Sequence, residues 1–451
     1  MEKPWEKMNA DERQEAMFQR WASPKDFQGN DIKFNSPEAE KLFKERCQRV
    51  KDAIQMKKKP DRVPVFICPS FWPVTYAGYT IKEVMTDYPK AADAWRKFVN
   101  DFQPDMHMGC VGPGSAKFNE MMDYKLYAWA GHGVPDNASY QMIEGEYMKD
   151  DEYDALIDDP TDFFIHTYLP RVFGALNPGF TMLPSFTSVL EIYGVPINFI
   201  PFGIPPVQNT LKVLADAAAE ALQWAGVALS FNDEMAAAGY PAMLAGFSKV
   251  PFDTLGDTLR GTTGVMMDMY RRPEKVLKAV ERLTPIMIKM GVNTAKMTGF
   301  PLIFIPLHKG ADGFLSDEQF RKFYWPGFKA LIEGLIEGGC IPMPWVEGSW
   351  STRLKIMKDI PKGKSLWIFD NQDMKKAKET LGSVACIGGN IQSSSLVVAS
   401  PEEVKDQTKK LIDTCSKDGG YIMCNGAFFD HAKPENVKAY VDTAKEYGVY
   451  K

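Results

Sequence analysis

Two ionisable side chains stand where an apolar run gives way to a loop, the position in which a residue can be both sheltered and reachable. His308 follows Leu302-Ile303-Phe304-Ile305, and Glu347 follows Cys340-Ile341-Pro342-Met343, flanked by Trp345, Gly348 and Trp350. A carboxyl group among indoles is expected to lose solvation, which raises its pKa toward that of a usable general acid. Its plainer alternative is to cap a helix starting near Ser351. His308 is one of only five histidines. It is a second candidate for proton transfer, or else a surface loop residue. These two form the candidate catalytic pair. Equivalent loop positions contribute Phe71, Trp72, Trp345, Trp350, Phe428 and Phe429, with the polar Asp370, Asn390, Asn425 and His431. An apolar pocket with a few convergent polar groups is the usual form of a small-molecule site. Each aromatic has core packing as its simpler role, Asp370 a loop anchor, and the two asparagines the satisfaction of backbone groups at strand ends.

The elements that must hold these residues follow a repeating pattern. From about Ile303 to Lys451 a short apolar run, a loop and an amphipathic helix recur, with further runs at Leu366–Phe369, Val384–Ile387 and Tyr421–Cys424. Apolar strands alternating with helices predict a parallel sheet covered by helices. Eight such units fit between residues 60 and 451, so the expected fold is α/β, a (β/α)8 TIM barrel. Its chemistry is expected at the C-terminal ends of the strands. Residues 1–60 are expected to be an N-terminal helical extension packed on the outside, and residues 61–451 the barrel. Arg62–Cys68 reads as the first strand, with a helix near Lys90–Phe102 and a short strand near Asp105–Gly109. Residues 112–159, rich in Gly, Asp, Tyr and Met, form a long excursion at the mouth, a candidate lid. Residues 209–245 read as a helix burying Leu211, Leu214, Ala218 and Leu222, and Pro273–Met290 as another. Ser316 with Gln319, and Ser400 with Glu403 behind Pro401, are capping boxes.

Bulk composition narrows the function classes. The 451 residues carry a net charge of −5, 45% hydrophobic and 25% charged residues. Nothing here favours nucleic acid or an anionic membrane as a partner. No run approaches the roughly 18 apolar residues of a membrane span. The first residues lack an apolar signal core, which implies a cytoplasmic protein. Seven scattered cysteines without a CxxC pair imply reduced core thiols rather than a disulfide framework.

Several stretches together resemble the uroporphyrinogen decarboxylase superfamily. They are Pro60-Asp61-Arg62-Val63-Pro64, Leu315-Ser316-Asp317-Glu318-Gln319-Phe320 with Pro326, Ala377-Lys378-Glu379-Thr380-Leu381-Gly382, Gly388-Gly389-Asn390, and Gly419-Gly420-Tyr421-Ile422 with Pro434-Glu435-Asn436-Val437. The resemblance spans nearly the whole chain after residue 60. It implies a (β/α)8 barrel and either tetrapyrrole decarboxylation or corrinoid-linked methyl transfer. The decarboxylases carry an Arg-rich loop after the first strand, where this chain has Pro69-Ser70-Phe71-Trp72-Pro73-Val74-Thr75-Tyr76. A polycarboxylate would find no partner there. The thiol-activating methyltransferases hold zinc with a His-x-Cys pair and a later Cys, which align here with Trp345-Val346-Glu347 and Ala427. Zinc needs three or four N, S or O ligands. The expectation is therefore a metal-free pocket, with a rearranged zinc site from Glu347, Cys424, His308 and His431 as the alternative.

The resemblance then implies a methyltransferase that passes a methyl group from a small apolar or aromatic methoxy compound, or a methylated amine, to a corrinoid (cobalamin). The corrinoid would ride on a separate corrinoid-binding protein, since no cobalamin-binding domain fits in the chain. Two alternatives remain. One is a decarboxylase or lyase on a non-tetrapyrrole substrate, with Lys309 or Arg353 as its cation; the other is a non-catalytic barrel that binds a tetrapyrrole.

Overall fold

The structure is a computed structural model that describes residues 3–110, 112–185 and 192–450. It is a mixed α/β fold built on a parallel sheet. Within the 112–159 excursion, β1 (Tyr127–Ala130), β2 (Gly133–Val134) and β3 (Gln141–Met142) make a small sheet in the order β2-β1-β3. The main sheet contains β4 (Gly246–Phe247), β5 (Leu302–Leu307), β6 (Ile341–Val346), β7 (Leu366–Phe369), β8 (Cys386–Gly388) and β9 (Tyr421–Ile422). They lie in sequence order, and each neighbouring pair is parallel. Isolated parallel bridges extend the pairing: Met423 to Val65, Phe66 to Met106, and His107 to Ala242, close before β4. This arrangement is consistent with an α/β barrel.

Alternation along the strands sorts the side chains into two cores. Leu302, Ile341, Met343, Trp345, Ile368 and Ile422 gather on one face. Ile303, Ile305, Val346, Trp367, Ile387 and Tyr421 join the helices on the other. With both faces covered, every residue of β6 and β7 is buried.

The N-terminal segment contributes to the first of these cores. Helices Ala10–Ala22, capped by Asn9, and Pro37–Gln55, capped by Ser36, bring in Phe18, Trp21 and Phe43. The Trp21 indole N–H donates to the Ala242 carbonyl at 3.0 Å. The N-terminal helices therefore complete a core shared with the sheet. A buried carboxylate ties it to the sheet. Asp105, fully buried, accepts from Arg49 at 2.8 Å, from Arg62 at 2.8 Å and from the Val65 N–H at 2.7 Å. Burial alone would raise its pKa, but the two guanidiniums hold it below the usual carboxylate range.

Two helices depart from the sequence reading. The Ala-rich helix runs Pro205–Ala237 and buries Val207, Thr210, Ala217 and Phe231, leaving Ala218 exposed and Leu222 73% exposed. An Ala-rich helix offers more than one apolar stripe, and the neighbours select which is used. The helix expected near Ser351 is a single turn, Leu354–Met357. Both capping boxes form as read, at Ser316 with Gln319 and at Ser400 with Glu403. Among the described residues, no helix is long and apolar enough to cross a membrane.

Asp105→Ala would strand two arginines in the interior and is expected to destabilise the fold by about 3–5 kcal/mol. Asp61, which holds the same Arg49 but is 62% exposed, should cost less than about 1 kcal/mol on replacement by alanine. Urea unfolding of the two variants checks the contrast.

Candidate active site at the ends of β5 and β6

His308 and Lys309 follow β5 directly, and a helical segment at 251–259, just past β4, supplies the groups that hold them. Asp253 accepts from the backbone N–H of His308 at 3.2 Å, from that of Lys309 at 2.8 Å, and from the Tyr324 hydroxyl at 2.7 Å. One turn later, Asp257 receives the His308 Nδ1–H at 2.6 Å. The ammonium groups of Lys249, at 2.9 Å, and Lys309, at 3.2 Å, pair with the same carboxylate.

The electrostatics follow from this crowding. Burial and the neighbouring Asp257 charge raise the pKa of Asp253. Burial would raise Asp257 too, but His308 and Lys249 hold it well below the carboxylate range. For His308, burial favours the neutral ring, yet its hydrogen bond to Asp257 and the nearby Glu347 carboxylate outweigh that and hold it up at about 10. The imidazole is thus a cation at neutral pH. Its Nε2 faces Glu347 Oε2 at 3.7 Å.

Glu347 itself is 44% exposed at the side chain, in contrast to the shelter expected from its flanking tryptophans. The indoles turn away from it. Trp345 is fully buried and stacks on Phe428 at 4.6 Å, with Phe304 at 6.0 Å from both. Trp350 packs against Phe320 and Tyr324 and donates its indole N–H to the Glu347 carbonyl at 2.8 Å. Asp370, raised by burial, accepts from the Gly348 N–H at 3.2 Å and so anchors the loop that carries Glu347.

The other residues singled out from the sequence are spread more widely. Trp72 and Phe429 pack together at 5.5 Å in the helix-side core, with Phe98 and Phe102, and are packing residues rather than a pocket wall. Phe71 is buried against Tyr140. Asn425 bonds both backbone groups of Cys68 and the Ala427 carbonyl, clasping the first and last strand segments. Asn390 donates to the carbonyls of Asp370 and Gln372, at 2.8 Å each. Both asparagines satisfy backbone, the simpler of their two roles. His431 is exposed. Sequence reasoning missed Asp253, Asp257 and Lys249. The signal was present as two aspartates one helical turn apart, but the two-residue β4 before them is too short to mark a strand end. The excursion also adds Tyr127 and Tyr140, in edge contact at 5.3 Å, and Glu347 and Asp430 lie close enough for their charges to act on Tyr140.

Zinc does not fit this donor set. Cys424, one of the ligands of the alternative zinc set, is fully buried with its thiol pushed far up by burial. Among the described residues, no three His, Cys, Asp or Glu side chains come close enough to hold a metal ion.

The profile of the family described as "Uroporphyrinogen decarboxylase (URO-D)" matches residues 180–447. Among solved structures, a methyltransferase from Methanosarcina mazei aligns with a TM-score of 0.57 and 16% identity, over 90% of this chain and 98% of that one. At that identity the likeness concerns the fold alone. A B12-independent methionine synthase from Shewanella sp. W3-18-1, in complex with selenomethionine, reaches a TM-score of only 0.29 at 11% identity, over 45% of this chain and 60% of that one. That similarity carries no argument. No curated protein matches in sequence.

The raised His308 pKa has a defined sign. Its stabilising contribution is complete below the ordinary value near 6.5 and is lost as pH rises through about 10. Thermal unfolding should therefore show wild type losing more stability than His308→Gln between pH 7 and 10. Imidazole NMR should find the ring cationic at pH 8, with Asp257→Asn moving its titration toward 6.5. A wild-type midpoint near 6.5 would remove the ion pair from the account.

Proposed function

The chain belongs to the uroporphyrinogen decarboxylase family, and from that premise we propose that it is a methyltransferase acting on a small methylated compound. In this reading a methoxyarene, or alternatively a methylated amine, gives its methyl group to the cobalt of a corrinoid presented by a separate protein. The sheet and its bridging contacts are read as a (β/α)8 barrel, with His308 and Glu347 at the C-terminal ends of adjacent strands. Both side chains remain partly open, at 33% and 44%, which leaves room for a partner to bring its cofactor to them.

The observation that carries this reading is the placement of His308, gripped on one side by Asp257 and facing Glu347 on the other. A methyl–oxygen bond breaks with its electron pair left on oxygen, and phenoxide leaves poorly unless protonated. The Nε2–H of His308 would give its proton to that oxygen. An acid held at about 10 is close to a phenol, for which tyrosine at about 10 is the guide, so the proton can be shared with the departing oxygen. When presented by its carrier, a reduced corrinoid would supply the electron pair that accepts the methyl group. Glu347 orients the imidazolium, and Asp257 fixes the ring so that Nε2 carries the mobile proton. Phe428, partly exposed and backed by the buried Trp345, is the aromatic surface beneath. A quaternary amine would need no proton, and the cationic His308 therefore favours the methoxyarene.

Neither cation considered for the decarboxylase reading is free. Lys309 is spent on Asp257, and Arg353, 1% exposed, is locked to Asp317 and the carbonyls of Gly310 and Leu315.

Purified protein mixed with a reduced corrinoid and a panel of methoxyarenes and methylated amines should release the demethylated product, followed by chromatography. His308→Gln is expected to lower turnover of a methoxyarene by about 10²–10⁴-fold and to affect a quaternary amine far less. The rate should hold steady from pH 7 to 9 and fall as His308 loses its proton. No product from any donor would sink the proposal.

A further inference from the structure

The excursion that carries β1 to β3 is fastened to the main sheet at two places. At one, the Ser139 hydroxyl donates to Asp430 at 3.1 Å, in the loop that follows β9 and two residues after Phe428. At the other, Glu144 accepts from the Thr262 N–H, while the buried Arg260 reaches Glu146 at 3.4 Å and the Met148 carbonyl at 2.6 Å. Arg260 and Thr262 directly follow the 251–259 segment whose Asp257 holds His308. The two anchors therefore lie past β4 and past β9, and β5 and β6 stand between those strands in the sheet. The stretch 139–148 is a strap tied on either side of the units that carry His308 and Glu347.

Two tyrosine rings come with this strap. β1 and β3 pair antiparallel, with Ala128 opposite Gln141, and Tyr127 meets Tyr140 in edge contact at 5.3 Å. Tyr140 also meets the buried Phe71 at 6.0 Å. The chain at Phe71 is joined to the Phe428 loop, since Pro69 bridges to Phe429 and the Ser70 N–H donates to the Phe429 carbonyl at 2.9 Å. Tyr140 is thus tied to the Phe428 loop twice, through Ser139 and through Phe71. Loss of solvation, then the charges of Glu347 and Asp430, raise its pKa, so its hydroxyl keeps its proton. Yet the residue is 59% exposed. Its ring is held at the edge and left open elsewhere, beside the reacting groups, and aromatic side chains of that kind are the usual lining of a small-molecule site.

We propose that Tyr140 is a specificity-determining residue, its ring and that of Phe428 binding the aromatic body of the substrate while His308 and Glu347 meet the methoxy end. That the bound molecule gives up a methyl group rests on the methyltransferase reading; the preference for an aromatic ring does not. Two rings in offset or edge contact gain more than their apolar area alone provides.

Anisole and cyclohexyl methyl ether serve as probes, titrated against the full chain by ligand NMR without corrinoid; they share the methoxy group and differ in the ring. Wild type should bind anisole about 5–10-fold tighter. Tyr140→Leu, which keeps apolar bulk at an exposed position, should erase that preference, and Tyr140→Phe should keep it. In turnover with reduced corrinoid, Tyr140→Leu should raise the KM for anisole by the same factor and change kcat far less. Equal affinity for the two probes in wild type, a preference that survives Tyr140→Leu, or one lost in Tyr140→Phe would overturn the assignment. Demethylation with an unchanged KM in Tyr140→Leu would also overturn it and leave the methyltransferase reading standing. A ring preference that depends on Tyr140, with no demethylation of any donor, would count against the methyltransferase reading alone.

Discussion

A single buried negative charge organises the reacting end of the molecule. Asp257 is 5% exposed and would be expensive to ionise there without partners. His308, Lys249 and Lys309 supply them. The partners come from two parts of the chain: Lys249 just past β4, and His308 with Lys309 past β5. The carboxylate therefore joins two strand–loop units and fixes which nitrogen of His308 faces outward. Asp253, one turn earlier, fixes the backbone of the same two residues. Side-chain charge and main-chain position are set by one helical turn.

The sheet makes that turn possible. Because successive residues of β5 and β6 face opposite cores, the parity that places Trp345 among the core residues away from the helices carries Glu347 to the same side two residues on. Phe304 and His308 share a parity on β5 in the same way. Aromatic packing and ionisable groups thus follow one another along each strand, with the rings below and the charges above. The Asp105 network performs the corresponding task at the opposite end of the chain's first unit, where Arg49 and Arg62 tie the N-terminal helices to Val65.

How much of this was readable in the sequence depended on how local the determinant was. β5 to β9 were legible because strands covered on both faces must be apolar throughout, and the capping boxes at Ser316 and Ser400 because a cap needs only its own four residues. β4 was not, since two residues leave no pattern and its place comes from pairing with β5. The buried stripe of the Pro205–Ala237 helix was misread because alanines permit several faces. At the site, His308 and Glu347 were visible from their position after apolar runs. The openness of Glu347 was not, because it depends on where two indoles turn, which Phe428 and Tyr324 decide from distant parts of the chain.

The hydrogen bond from the Gly348 N–H to Asp370 has a wider consequence. It makes the aim of Glu347 a property of the neighbouring β7 unit rather than of its own loop. A change in the length or tilt of that unit would swing the carboxylate even if every residue around it were kept. Divergence in this part of the molecule is therefore coupled across two units: β6 and β7 with their loops must drift together or the carboxylate facing His308 loses its alignment.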